Sequence, residues 1–444
     1  MTTAFFLISF NAAINVLTPF NAAGIQNLKN YRNRENDATD VLFLGSSAIS
    51  CNVEFSELWK EFGIASYCLG AGGATFYDDY YRLLESLKVR TPGFVIVEVQ
   101  SAYVADEYGS EEFKTENITG FPPSLNKARF TQAAVESEQR LDYFLTFPLY
   151  HSRYTQLNVK DFVKVGMIGP YNKGQWTIFA ASSSSPMPAD VTGESRIFLL
   201  SQKQEYYLRK LISLCREKEI PLLLLKTPDP NREKRQPFYN AVGVIAREYD
   251  VPYLNMNLYD REIGLTATDI YVDNYHLNIS GARKCAVFLG NYLRGRFRLP
   301  DHRGAAGYET WDLYAADRED QYIRIIGENN AYFAELARDG RTLLLIPYKI
   351  PENTPPALQA VLNSIDALPH QSLSNGDVSL QGRNLAVRQN NESCEILLEG
   401  RSVASVSSPG ALLVVYDELL GQLADIAAFS SENNGSLKHL YSPA

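Results

Sequence analysis

Short apolar runs alternate with amphipathic segments between Asp40 and Arg298, and this alternation constrains the fold more than any other feature. The runs DVLFLG, FVIVEVQ and PLLLLKTP are typical of strands that are buried on both faces. Between them, segments such as YDDYYRLLESLKVRTPG place apolar residues at helical spacing. Strands that alternate with helices predict an α/β domain with a mainly parallel sheet and helices on both of its faces.

The 444-residue length allows two domains with full cores. The sequence divides into a candidate N-terminal signal anchor at 1–20, an Asn-rich polar spacer at 21–39, the α/β domain at 40–315 and a smaller α+β module at 320–444. In the module we expect one or two helices against a small mixed sheet. In the α/β domain, FSELWKEFG predicts a helix capped by Ser56, and a later helix is expected at about Tyr239–Tyr249.

The first twenty residues, MTTAFFLISFNAAINVLTPF, carry no charge, and the first basic residue is Lys29. A membrane-spanning helix needs about 20 apolar residues, so this segment predicts a signal anchor. Asn11 and Asn15 weaken that prediction, as does the lack of a positive stretch at the start. The alternative is an apolar helix that lies on the domain.

The charge and the cysteine pattern exclude several classes of protein. A net charge of −9 without a basic patch argues against a nucleic-acid partner. Five dispersed cysteines give neither a zinc signature nor a disulfide framework, so we expect buried thiols. The 27 tyrosines suit either a carbohydrate-facing surface or a core.

Two serines follow the first predicted strand in FLGSS, at the edge of the sheet where open α/β domains bind ligands. A serine hydroxyl is a poor nucleophile until a base accepts its proton, and the base needs an orienting carboxylate. Asp273 and His276, in the loop YVDNYHLNISGARK, could supply both. Taken alone, this pair also fits a structural histidine or an aspartate at a helix entry, with Asn278 or Ser280 as the helix cap.

The blocks GSS, CLGAGG, VIVEVQ and DNYHLNISG occur in the order in which the SGNH/GDSL hydrolase superfamily has its motifs, and the chain resembles that superfamily over about 1–315. The resemblance implies a three-layer, flavodoxin-like domain that needs no metal or organic cofactor. It makes Ser47 the nucleophile, with Ser46 as the alternative. His276 would then be the general base, oriented by Asp273.

The same resemblance implies an oxyanion hole built from the backbone N–H groups of Ser47 and Gly70. The third block departs from the superfamily, which has an Asn after its third strand, whereas this chain reads VIVEVQSAY. Gln100 or Ser101 could replace that amide. This departure puts the strength of the oxyanion hole in doubt.

The cluster YHSRY contains His151 and Arg153, which we expect to bind an anionic or sugar group. The alternative is a surface turn in which the arginine forms a salt bridge or a cation–π contact.

Within the superfamily, the layout is similar to membrane-anchored bacterial proteins, such as the D-alanyl transfer protein of teichoic acid and partners of membrane-bound O-acyltransferases. This implies an O-acetyltransferase or esterase that acts on a cell-surface or exported polysaccharide, anchored at the extracytoplasmic face, with a membrane-bound O-acyltransferase as a partner. The alternative is a non-catalytic glycan-binding protein with a degenerate oxyanion hole. The C-terminal module contains the segments YFAELARDGRTLLLIPYKI, GRNLAVRQN and ALLVVYD. These segments resemble the lectin-like domain of the interleukin-like EMT inducers, which implies an accessory role.

Overall fold

The structure, a computed structural model, describes residues 2–19, 23–33, 38–105, 107–109, 111–163, 172–180, 185–273, 275–337, 341–350 and 352–443. The chain divides into two compact units, Met1–Asp312 and Leu313–Ala444.

The first unit contains a five-stranded parallel sheet, as the sequence predicted. Its strands are β1 (Val41–Leu44), β2 (Ser66–Cys68), β3 (Phe94–Glu98), β4 (Leu222–Lys226) and β5 (Tyr253–Asn255). Their order is β2-β1-β3-β4-β5, and every neighbouring pair is parallel. The carboxyl ends of these strands therefore lie at one edge of the sheet, where loops can bring distant side chains together.

Helices connect and cover these strands. Those that lie wholly in the first unit are α1 (Thr2–Leu17), α2 (Ala23–Asn33), α3 (Ser47–Asn52), α4 (Phe55–Phe62), α5 (Phe76–Ser86), α6 (Glu111–Thr119), α7 (Leu125–Ala134), α8 (Arg140–Leu145), α9 (Phe147–Tyr150), α10 (Val159–Val163), α11 (Gln202–Glu217), α12 (Arg232–Glu248), α13 (Asp260–Ile263) and α14 (Ile279–Arg296). Short 3-10 helices occupy Gln100–Tyr103, Ser137–Gln139, His151–Gln156, Met256–Leu258 and Ala267–Asp269.

The alternating side chains of the strands explain how the sheet is covered. Leu42 of β1 belongs to a core cluster that includes Leu83 of α5, Leu211 of α11 and Val242 of α12. Phe43 is the next residue and points to the opposite face. Its ring stacks on Phe55 of α4, with centroids 4.5 Å apart.

Two helix starts differ from their predictions. Glu54, rather than Ser56, caps α4, because its carboxylate accepts hydrogen bonds from the backbone and the hydroxyl of Ser56. The helix expected at Tyr239 begins at Arg232. Pro237 lies inside α12, although a proline in a sequence usually indicates that a helix is interrupted. The helix continues through this position, and the burial of Arg232 and Pro237 holds its first turns in place.

The predicted spacer at 21–39 lies partly outside the described residues. Its described part forms α2, whose Leu28 and Tyr31 are fully buried in the core of the first unit. The segment is therefore packed against the domain. Its many Asn residues concealed an apolar face at i, i+3 spacing.

The candidate anchor forms α1 and packs against the rest of the first unit, since the ring centres of Phe10 and Phe147 lie 5.3 Å apart. Within the part of the chain that the structure describes, none of the helices combines the length and the apolar character that crossing a bilayer requires. All five cysteines are buried, as expected from their dispersal.

Among its described residues the second unit has nine strands in two sheets, where the sequence suggested a single small sheet. The strands are β6 (Arg341–Tyr348), β7 (Gln371–Ser372), β8 (Gly376–Leu380), β9 (Arg383–Gln389), β10 (Cys394–Leu398), β11 (Arg401–Val406), β12 (Gly410–Asp417), β13 (Gln422–Ser430) and β14 (Lys438–His439). Strands β8 to β11 form an antiparallel sheet, and the others form a mixed sheet in the order β14-β13-β12-β6-β7. Further helices are α15 (Glu309–Ile323), which crosses the boundary between the units, α16 (Asn329–Leu336) and α17 (Pro356–Asp366).

Candidate active site

The turn after β1 gives its two serines different environments. Gly45 has φ +139°, and a Cβ at this position would lie 2.7 Å from Cβ of Glu98, so only glycine fits. Ser46 is the N-cap of α3, and its hydroxyl accepts the N–H of Ala48 at 3.2 Å. Ser47, at the first position of the helix, is half-buried. The hydroxyl of Ser46 is therefore used structurally, whereas that of Ser47 faces the loop described next.

The structure brings Ser47, His276 and Asp273 together in one hydrogen-bonded chain. Oγ of Ser47 lies 2.8 Å from Nε2 of His276, and Nδ1 of the same ring lies 2.6 Å from Oδ2 of Asp273. These are the contacts that a nucleophile, a base and an orienting carboxylate require. The i, i+3 spacing of the acidic and imidazole groups on one turn makes the second contact possible.

The carboxylate of Asp273 is held in its ionised form. Its Oδ1 accepts the backbone N–H groups of Tyr275 at 2.8 Å and His276 at 3.1 Å. Burial alone would raise the pKa of Asp273, but these hydrogen bonds and the one from the imidazole outweigh burial and lower that pKa. The group can therefore stabilise a positive charge on the imidazole at neutral pH.

The loop of His276 is anchored at both ends. The N–H of Tyr271 donates to the carbonyl of His276 at 3.0 Å, and the N–H of Asn278 donates to the carbonyl of Asp269 at 2.9 Å. Asn278, one of the two expected caps, is the N-cap of α14, and its side chain accepts the N–H of Gly281. Through Asn278, the loop is therefore fixed to the start of α14.

Two of the three residues predicted to form the oxyanion hole, Gly70 and Gln100, have other described contacts. The N–H of Gly70 donates to Sγ of Cys68 at 3.3 Å, so the thiol competes for this donor. Oε1 of Gln100 lies 3.4 Å from the hydroxyl of Tyr239, which leaves the NH₂ of the same amide as its donor group. Ser101, the other candidate, is buried, and its Oγ has no hydrogen-bond partner among the described residues. The oxyanion roles remain predictions.

His151 and Arg153 lie in a 3-10 helix. None of their described contacts is with Ser47, His276 or Asp273. Nδ1 of His151 is 2.8 Å from the carbonyl of Pro148. The guanidinium of Arg153 pairs with Asp161 at 2.8 Å and donates to the carbonyl of Leu17 at the end of α1. These contacts give Arg153 a structural role, and a role for either residue in substrate binding remains a prediction.

A buried ion pair lies beneath the candidate site and was not predicted. Nζ of Lys226, at the end of β4, is 2.6 Å from Oε1 of Glu98, at the end of β3, and both side chains are fully buried. Thr227 donates to the same oxygen, and the N–H of Gln100 donates to the other. The pattern was visible in the sequence, because the apolar runs FVIVE and LLLLK each end in a charge.

A second group of charged and aromatic side chains lies beside the loop of His276. The carboxylate of Asp229 accepts the hydroxyl of Tyr239 at 2.6 Å and the guanidinium of Arg235 at 3.2 Å. Arg235 in turn lies 4.0 Å from the ring centre of Tyr103 and 5.8 Å from that of Tyr275. Tyr275 directly precedes His276 and is 53% exposed, so Arg235 lies near an exposed aromatic residue of this loop.

Burial alone would raise the pKa of Asp229, but the charges of Lys226 and Arg235 outweigh it and lower that pKa. Burial raises the pKa of Tyr239, and the nearby carboxylate of Asp229 raises it further. Within the described ranges, the structure places no group of three or more His, Cys, Asp or Glu side chains that could hold a metal ion.

Comparisons with known proteins found matches among solved structures alone. No protein-family model matches the chain, and no curated protein matches it. A GDSL-like lipase from Bacteroides thetaiotaomicron matches at 12% identity and a TM-score of 0.30, over 61% of this chain and 98% of its own. An acetyl xylan esterase variant from Geobacillus stearothermophilus matches at 14% identity and a TM-score of 0.28, over 58% of this chain and 94% of its own.

A two-domain esterase active on acetylated mannans, co-crystallized with mannopentaose, matches at 12% identity and a TM-score of 0.26, over 94% of both chains. The neighbours thus include GDSL-like lipases and carbohydrate esterases. Because every one of these TM-scores is below 0.5, the likenesses support no inference about the activity of this chain.

Proposed function

We propose that the protein is a serine-dependent enzyme that hydrolyses esters or transfers acyl groups. The observation that carries this proposal is the chain from Ser47 through His276 to Asp273, with contacts of 2.8 and 2.6 Å. If the half-buried imidazole had only a structural role, its hydroxyl partner would not have to lie at the carboxyl edge of the sheet. Here the hydroxyl lies at the first position of a helix, with only Gly45 and Ser46 between it and the buried strand β1.

In the proposed reaction, Oγ of Ser47 attacks the carbonyl carbon of an ester while Nε2 of His276 accepts the hydroxyl proton. The resulting imidazolium is stabilised by the carboxylate of Asp273. Collapse of the tetrahedral intermediate breaks the ester bond, and His276 returns the proton to the departing alcohol. Water or a second hydroxyl then attacks the acyl-serine with the same base, which gives hydrolysis or transfer respectively. This chemistry needs no metal.

The proposed substrate is an acylated hydroxyl of a cell-surface or exported polysaccharide. It is supported by the sequence resemblance to membrane-anchored bacterial members of the SGNH/GDSL superfamily, and so is the proposed place at the extracytoplasmic face. The same resemblance supports a membrane-bound O-acyltransferase as the partner that supplies acyl groups. Release of acid from a chromogenic acetyl ester, measured with and without an added oligosaccharide acceptor, separates hydrolysis from transfer.

The second candidate function is a glycan-binding protein without catalysis. It is favoured by one observation, the donation of the Gly70 N–H to the thiol of Cys68. An oxyanion hole that has lost this donor would lose about 3–4 kcal/mol of transition-state stabilisation.

Covalent labelling with a fluorophosphonate probe tests the proposal. We expect the wild type to label at one site, identified by mass spectrometry as Ser47, and Ser47→Ala not to label. The matched control is Ser46→Ala, which removes the adjacent hydroxyl. It should lose about 1 kcal/mol of stability as an N-cap variant and still label. Equal labelling of the wild type and Ser47→Ala would exclude the catalytic serine.

A further inference from the structure

Asn52 connects the helix of the candidate nucleophile with the loop of the candidate base. It is the last residue of α3, which begins with Ser47, and it is 1% exposed. Its Oδ1 accepts the backbone N–H of Leu277 at 2.9 Å. Because Leu277 directly follows His276, this hydrogen bond is made one residue from the imidazole.

The amide of Asn52 is also held from its other side. Its Nδ2 donates to the carbonyl of Pro228 at 3.0 Å and lies 3.4 Å from the hydroxyl of Thr227. That hydroxyl donates to Glu98, the buried partner of Lys226. With a carbonyl on one side and an N–H donor on the other, only one orientation of the amide satisfies both. The side chain therefore joins the loop after β4 to the loop before α14.

We propose that Asn52 is a positioning residue, which sets the distance between Oγ of Ser47 and Nε2 of His276. This inference rests on the proposed function. This contact adds to the backbone hydrogen bonds of Tyr271 and Asn278 in a loop that partly faces solvent, with Val272 61% exposed and Tyr275 53% exposed. A displacement of about 1 Å at the reacting atoms can cost about 100-fold in rate.

The test replaces Asn52 by Leu, which has nearly the same size and makes neither hydrogen bond. We expect the rate of fluorophosphonate labelling to fall by about 10- to 100-fold. With a chromogenic acetyl ester, kcat should fall by the same factor and KM should stay within about twofold, because the substrate contacts are intact. If Asn52→Leu does not fold, Asn52→Ser keeps a polar group that is too short to reach Leu277, and the same fall is expected.

The matched control is Asn257→Leu. Asn257 is 2% exposed and also holds the loop after β4, by accepting the N–H of Asp229 at 2.8 Å and donating to Gln236 at 3.1 Å. None of its described contacts is with the loop of His276. We expect this variant to label within about threefold of the wild type, whatever its loss in melting temperature.

Two results would overturn the inference. One is wild-type labelling by Asn52→Leu. The other is an equal loss of rate in the Asn52 and Asn257 variants that follows their melting temperatures, which would indicate a purely structural role. Failure of the proposed function itself gives a different result, in which the wild type and Ser47→Ala react alike.

Discussion

At the scale of single residues, the candidate site depends on which hydroxyl is used for structure. Ser46 and Ser47 are chemically identical, yet one caps α3 and the other lies 2.8 Å from an imidazole nitrogen. The distinction follows from helix geometry, since the N-cap side chain turns back to the first N–H groups and the next side chain does not. The proton acceptor is in turn oriented by one carboxylate, that of Asp273.

Replacement of Asp273 by Asn should leave the fold intact and lower the labelling rate by about 10³- to 10⁴-fold. The amide cannot stabilise the imidazolium, and it can impose the wrong tautomer on the ring. Stopped-flow or quench measurements with the fluorophosphonate probe report this rate, and thermal unfolding checks the fold. A rate within tenfold of the wild type would remove Asp273 from the mechanism.

At the scale of elements, the carboxyl edge of the sheet is held by the buried pair of Glu98 and Lys226. The pair joins the ends of β3 and β4. Glu98 lies beneath the turn at Gly45, and the hydroxyl of Thr227 connects Glu98 with the amide of Asn52. Charges that are fully buried are costly, so a buried salt bridge is by itself weak evidence for net stability. We expect it to fix the relative positions of the loops that carry the site.

Replacement of Lys226 by Met should destabilise the first unit by about 3–5 kcal/mol, because Glu98 is left buried without its partner. The double variant Glu98→Gln, Lys226→Met removes the charge as well and should recover most of that loss. Chemical denaturation of the three proteins measures this. If Lys226→Met were as stable as the wild type, the ion pair would not contribute to the stability of the first unit.

At the scale of the whole molecule, the chain forms two units with separate cores. In the second, the carboxylate of Asp425 is fully buried and accepts the hydroxyl of Tyr332 and Nδ1 of His439, each at 2.7 Å. Nε2 of His439 lies 2.8 Å from the carbonyl of Ile326. Both ring nitrogens thus face acceptors, which favours the doubly protonated ring and holds β14 to the unit.

Stability of the second unit should therefore decrease as the pH rises. Burial alone would lower the pKa of His439, but the hydrogen bonds to Asp425 and Ile326 outweigh burial and raise that pKa. The stabilisation is complete below the unfolded value of about 6.5 and is lost as the pH rises through the higher folded value. Asp320, whose pKa is raised by burial and by Asp417, contributes a loss of the same sign.

Hydrogen exchange in β13 and β14 of the full-length chain, at pH 6 and pH 9, measures this loss of protection. The variant His439→Gln should be less protected than the wild type at pH 6 and equal to it at pH 9. The contribution of Asp320 is common to both proteins and cancels in the comparison. An unchanged difference between the two proteins across this range would contradict a charged His439.

Sequence patterns anticipated most of the first unit, and their failures have physical causes. The parallel sheet followed from apolar runs with helical segments between them. The packed α2 was missed because its polar composition concealed two core side chains, Leu28 and Tyr31. The second sheet of the second unit was missed because strands β8 to β11 are only five to seven residues long and partly exposed, a weak signal beside the continuous buried run of β12.

The sequence by itself determined which side chains with catalytic chemistry the chain carries and where they lie along the strands and loops. Local rules suffice for this, because strand periodicity, helix caps and the i, i+3 turn of Asp273 and His276 act over a few residues. Only the tertiary structure decided that these groups meet Ser47 and that Asn52 holds the loop. Such contacts join residues far apart in the chain, and their geometry is fixed by how the sheet and helices pack.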